Sequence, residues 1–158
     1  MIIIGAKGKL NIEETLEKLK KIKGISQIFD ASCICGREHI EIAYERAKRA
    51  FEEGRNKCRS IEMEMLLYAS CKRQIKDAMD FVGAKKHGEY AIFLDGLNEE
   101  EAIKFVKNEL KLEIDENVLK PSIEKLKKFV DEKELRTVDK SFYFDLIYEK
   151  IAMVELTK

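Results

Sequence analysis

Cys33, Cys35 and His39 lie within seven residues of one another. Two thiolates and an imidazole are ligands that a soft metal accepts, and a thiol beside a positioned base is also the makings of a nucleophile. A closed metal site needs a fourth ligand, and Cys58, Cys71 and His87 stand at no matching spacing. The other reading is that the cysteines act as small hydrophobes near a strand end, with His39 capping a helix or facing solvent. A thiol or metal protein built on Cys33, Cys35 and His39 therefore stays open as one alternative.

The other candidate chemistry is thinner. Ile4-Gly5-Ala6-Lys7-Gly8-Lys9-Leu10 has a strand followed by glycines and lysines, as a phosphate loop does. That loop needs four residues between its glycines and a Ser or Thr after the Lys, whereas this one has two and then Leu10, so the segment reads as a glycine turn between strand and helix. With only His39 and His87 as histidines, no triad pattern is recognisable. The sequence thus predicts no catalytic residue, no cofactor and no metal.

The charge distribution carries more. Residues 55–86 hold eight basic side chains against four acidic ones, and residues 87–119 hold nine acidic against three lysines, although the whole chain is formally neutral. Arg55, Lys57 and Arg59 precede one predicted helix; Lys72, Arg73 and Lys76 open the next; Lys85 and Lys86 follow it. Three cationic clusters at helix ends suit a groove that tracks a phosphate backbone, with Tyr68 or a neighbouring aromatic to stack on bases. The alternative is an ordinary solvated surface in a highly charged protein.

The elements that position these residues follow from periodicity and punctuation. Ile2-Ile3-Ile4 reads as a strand, and Ile12, Leu16, Leu19 and Ile22 recur at helical spacing from Asn11 to Gly24. Residues 25–30 read as a second strand. A helix spans 38–53, with Gly54 where a C-terminal cap belongs. Ser60 caps another helix, a third runs from about Lys72 to Val82 before Gly83, and Tyr90 to Leu94 form a buried strand that must pair with something early. Asn98 caps a further helix. The tail offers one from Ser122 to about Val130 and one from Val138 to Val154, the last apolar nearly all round and so buried on several sides or covered by a partner.

A chain of 158 residues, 45% hydrophobic and 38% charged, with one proline and no low-complexity run, suits a single packed domain spanning 1–158. No apolar run approaches a membrane span, and the start lacks the long apolar stretch of a signal peptide. A cytoplasmic setting with the four cysteines as thiols is expected. Charged residues that are overwhelmingly Lys and Glu, with only two glutamines, match chains that stay folded when hot.

Three blocks are familiar together: Cys35-Gly36-Arg37-Glu38-His39-Ile40 with Ala43 and Ala47; Asn56, Ser60 and Glu62-Met63-Glu64-Met65-Leu66-Leu67-Tyr68; and Arg73-Gln74-Ile75-Lys76-Asp77-Ala78 with Gly83. The stretch from Tyr143 to Leu156 extends the likeness to nearly the whole chain. The sequence resembles the small kinase-binding subunit of the KEOPS complex, a family of kinase-binding proteins. The resemblance implies a subunit without catalytic residues that binds and stimulates the small atypical kinase or ATPase subunit. It implies that this subunit meets the threonylcarbamoyl transferase subunit only indirectly, and grips the single-stranded CCA tail of a tRNA for threonylcarbamoyladenosine modification beside the anticodon.

Arg73, Gln74 and Ile75 match the family motif most specifically. On that basis Ile75 and Met79 are expected to face the protein partner, and Lys57, Arg59, Arg73, Lys85 and Lys86 to contact RNA, only Arg73 of these lying in the motif proper. Two departures stand out: the thiols at Cys33 and Cys35, and Ser70-Cys71-Lys72 where a small flexible link is expected. The fold expected is α/β (α+β), a small, mostly antiparallel sheet packed beside a helical bundle. A protein-interaction module with no RNA role is the remaining alternative.

Overall fold

The computed structural model describes all of residues 1–158 and divides the chain into two compact units. The first comprises 1–32 and 83–120, the second 33–82 and 121–158.

The first unit holds the sheet. Strands β1 (Ile2–Lys9), β2 (Ile25–Asp30), β3 (His87–Asp95) and the short β4 (Glu113–Ile114) are ordered β2-β3-β1-β4, every pair antiparallel. The registers Ile4↔Ile92 and Ile28↔Ile92 line three isoleucines across the strands. This row joins Ala6, Tyr90 and Leu94 in a core closed by Leu19 of helix α1 (Ile12–Lys21), with α5 (Glu99–Lys104) and the π-helical turn Phe105–Glu109 supplying Ala102, Phe105 and Val106. Alternation along a pleated strand puts these residues on one face, which is why β-branched residues at every second position fix the register. The strand at the far side of the helical block does pair early, with both β1 and β2.

The glycine-rich start is a strand and not a turn. β1 runs through Gly5 and Gly8 to Lys9, and Asn11 caps α1 by accepting from the Glu14 N–H at 3.0 Å. Gly5 is required for packing: a Cβ there would stand 2.6 Å from the Asp115 carbonyl oxygen and 2.9 Å from Val118 and Leu119 of the 3₁₀ turn Glu116–Leu119. At the other end, Gly24 has φ 87° and would place a Cβ 1.8 Å from the Asp95 carbonyl oxygen, so only glycine lets β2 leave its turn so close to β3.

The second unit is helical. It comprises α2 (Arg37–Glu52), α3 (Ile61–Ser70), α4 (Ile75–Val82), the short α6 (Ile123–Leu126) and α7 (Glu132–Arg136), and α8 (Asp145–Thr157). Helix α2 turns Ile40, Ala43, Ala47 and Ala50 inward at the expected spacing. α3 is buried from Glu64 to Ser70.

The tail departs from its periodicity. The expected helix over 122–130 stops at Leu126. The one over 138–154 starts only at Asp145 as α8, after a 3₁₀ turn at Lys140–Phe142, and it is preceded by α7, which Asp131 starts through a capping box with Glu134 and which the apolar count alone does not reveal. In α8, Leu146, Ile147, Ile151 and Val154 are buried, while Met153 and Leu156 are exposed. No helix is long and apolar enough to cross a membrane.

Candidate nucleic-acid and partner interface

Helices α3 and α4 and the segment before them carry most of the residues singled out by sequence. Ser60 caps α3 as expected, accepting from the Met63 N–H at 3.2 Å. α4 starts at Ile75, later than its periodicity suggests, so Lys72 and Arg73 sit in the link and not in the helix. That link begins at Cys71, whose φ of 59° is left-handed, a conformation side chains other than glycine and asparagine seldom adopt.

The approach to α3 is held from beneath by a buried carboxylate. Glu64, with none of its surface exposed, accepts from the Cys58 N–H at 2.7 Å, from the Lys57 N–H at 3.1 Å and from the Lys158 ammonium at 2.7 Å. Burial pushes its carboxyl up, but the Lys158 ammonium and the two N–H groups outweigh that and leave it below the ordinary carboxylate range. Lys158 also donates to the Tyr68 hydroxyl at 2.6 Å and lies over its ring. Tyr68 in turn donates to Glu155 at 2.6 Å, and Arg55 pairs with both Glu155 and Glu53.

This network corrects one expectation: Tyr68 is fully buried with its hydroxyl engaged, so it offers no face for a base to stack on. It also pins the backbone that presents Lys57, whose ammonium donates to the Arg73 carbonyl at 2.6 Å. Lys57 and Arg73 are thus brought together, and Arg59 is exposed in the same segment. Lys85 and Lys86 belong to the first unit. Their backbone oxygens accept from the Tyr90 hydroxyl and the Leu10 N–H, leaving both side chains exposed ahead of β3. On α4, Ala78 and Val82 face inward, Ile75 is half-buried and Met79 is 48% exposed, so both apolar residues reach the surface.

Cys33, Cys35 and His39 are all buried. His39 Nδ1 accepts from the Cys35 N–H at 3.0 Å, which places the ring proton on Nε2, and that N–H donates to the Ala69 carbonyl at 2.8 Å. Both nitrogens are therefore spent on backbone, and the imidazole ties the segment before α2 to the last turn of α3. Burial lowers its pKa to about 4 and pushes the Cys35 thiol up to about 12, so at neutral pH the imidazole is uncharged and the Cys35 thiol keeps its proton. No group of three or more His, Cys, Asp or Glu side chains is arranged to hold a metal.

Sequence reasoning missed two features. Lys158 is ninety-four positions from the Glu64 it neutralises. Lys72, Lys128 and Lys150 line one cavity of about 280 Å³ with Phe81 and Phe129. No local spacing links residues so far apart, and only the folded helices bring them together.

A family model described as kinase binding protein CGI-121 matches residues 9–153. This chain belongs to the CGI-121 family. Among curated relatives, the KEOPS complex subunit Cgi121 of Pyrococcus abyssi (strain GE5 / Orsay) is 36% identical over 94 residues, 60% of this chain and 53% of that relative. The aligned part thus spans about half the length of the relative. In this CGI-121 chain the family match takes in the whole α3–α4 region with its Arg73-Gln74-Ile75 motif, both units, and α8 as far as Met153.

Proposed function

We propose that this protein is an adaptor without catalytic residues of its own, which binds and stimulates the small atypical kinase or ATPase subunit of a KEOPS complex and recruits tRNA by its CCA tail for threonylcarbamoyladenosine modification. The observation that carries the reading is the kinase-binding family match over residues 9–153. The half-exposed Ile75 and Met79 on α4 support a protein-binding face, with the threonylcarbamoyl transferase subunit reached only through the kinase subunit. Exposed Lys57, Arg59, Arg73, Lys85 and Lys86 support RNA binding by charge, and the unit-held network around Glu64 fixes the first of them in place. Four free thiols suit a cytoplasmic setting, and the Lys- and Glu-rich composition suits a heat-stable chain. The three passages of the chain between the two units support reading 1–158 as a single domain.

Binding of the purified protein to a whole tRNA and to the same tRNA lacking its CCA tail, at two salt concentrations, tests the RNA half of this reading. If all five cations meet phosphate, a fourfold rise in salt weakens binding on the order of a hundredfold. Tail removal, Lys57→Glu with Arg73→Glu, and Lys85→Glu with Lys86→Glu each lower affinity about tenfold or more. Equal affinity for the two tRNAs contradicts recruitment by the tail, and no binding at all leaves the kinase-binding adaptor alone.

A further inference from the structure

The Arg73-Gln74-Ile75 motif lies where the chain turns from α3 into α4. Cys71 caps the end of α3 with its N–H on the Tyr68 carbonyl at 3.2 Å, and the Lys72 N–H donates to the Ser70 hydroxyl at 3.1 Å. At the other side, the Gln74 carbonyl accepts the opening bond of α4, from the Ala78 N–H at 3.0 Å. The Arg73 carbonyl stands between these anchors and belongs to neither helix ladder. Its partner is the Lys57 ammonium at 2.6 Å, sixteen positions earlier in the chain.

Lys57 is itself held from behind. Its N–H donates to the buried Glu64 carboxylate at 3.1 Å, beside the Cys58 N–H at 2.7 Å, and the Lys158 ammonium supplies the counter-charge at 2.7 Å. Two residues before Lys57, Arg55 pairs with Glu155 of α8. The backbone of Lys57 is thus tied to α3 and α8, and its side chain extends that hold to the motif. The contact is made to main chain, which leaves the motif's own side chains available: Arg73 and Gln74 are exposed and make no hydrogen bond or ion pair within the chain, and Ile75 is half-buried at the head of α4.

We propose that Lys57 is a positioning residue for the protein partner: by holding the Arg73 carbonyl it presets the backbone of Arg73-Gln74-Ile75 in the shape that the kinase-like subunit meets, a role that rests on the adaptor reading above. A link left unheld has to be ordered when the partner binds, with a loss of conformational entropy, whereas a link already ordered binds without that loss. One of the three ammonium N–H groups suffices for the carbonyl, so the role is compatible with a phosphate contact by the same side chain.

Calorimetric titration with the kinase-like subunit, without RNA and at low and high salt, tests this. Lys57→Met, which keeps the apolar stem and removes the donor, lowers affinity about tenfold, the equivalent of ordering about one backbone residue on binding. The loss is the same at both salt concentrations, because the bond removed lies inside this protein and not between two charged surfaces. Lys57→Arg, which retains a donor for the carbonyl, recovers most of the affinity. In hydrogen exchange the Ala78 amide, whose acceptor is the carbonyl next to that of Arg73, exchanges faster in Lys57→Met than in the wild-type protein, while the thermal midpoint shifts little. Undiminished affinity in Lys57→Met, a loss that vanishes at high salt, or no recovery with Lys57→Arg overturns the proposal and leaves the adaptor reading intact. Absence of binding by the wild-type protein overturns the adaptor reading and this role with it.

Discussion

Glu64→Ala costs about 3 to 5 kcal/mol of stability, the range expected when one partner of a buried ion pair is removed and the other charge is left without compensation. The stranded groups are identifiable: the Lys158 ammonium and the N–H groups of Lys57 and Cys58 lose their acceptor. Urea unfolding of the variant checks this, and a cost below about 1 kcal/mol, the value of a surface pair, contradicts it. A double-mutant cycle with Lys158→Met separates the pair from the backbone bonds, because Glu64→Ala costs less when Lys158 is already gone. The pH sign follows from the lowered carboxyl. Its stabilising contribution is present above the unfolded-state value of 4.5 and is lost as acid protonates it below that point.

A second loss occurs at higher pH and has the imidazole as its source. His39 has a folded-state pKa of about 4 against an ordinary 6.5, so between those values the unfolded chain binds a proton that the folded chain refuses. Stability is therefore full above pH 6.5 and falls progressively as pH drops toward about 4, by on the order of 3 kcal/mol, then levels off as far as this group is concerned. Burial dominates that direction, the Ala69 carbonyl opposes it, and Lys125 adds a smaller repulsion that reinforces it. Protonation at Nδ1 would also forfeit the bond from the Cys35 N–H. Chemical denaturation above, within and below the window measures the effect, and His39→Gln removes the slope there while lowering stability at every pH. A wild-type stability that stays flat across the window contradicts a buried neutral His39.

Both predictions come from residues whose role could not be read locally. His39 invited a metal reading because Cys33 and Cys35 are near in sequence, yet its two bonds go to backbone four residues before it and thirty after it. Glu64 looked like one carboxylate among many. Its importance depends on Lys158 arriving from the far end of the chain.

What local sequence did reveal was local physics: the Ser60 and Asn98 caps, the inward stripe of α2, and the three longer strands, each with its own apolar run, whereas the two-residue β4 has none and went unread. It misread Gly5 and Gly8 as a turn, because a glycine that admits Asp115 and Leu119 across a strand looks the same in sequence as one that bends the chain. It placed Tyr68 at an RNA surface because burial depends on α8, not on the residues beside Tyr68. The cationic residues chosen for RNA do stand exposed, but Lys128 and Lys150 went unremarked because they lie outside the basic run.

The adaptor reading stands first on its protein partner, so the decisive measurement is calorimetric binding of this protein to the small kinase-like subunit of a KEOPS complex, with Ile75→Glu and Met79→Glu as surface probes. The account predicts saturable one-to-one binding by the wild-type protein. It predicts a loss of about 2 kcal/mol or more, some thirtyfold, when a charge is placed at either apolar position, with tRNA binding retained. Absence of binding by the folded wild-type protein contradicts the account, and full binding by both variants removes α4 from the partner-facing surface.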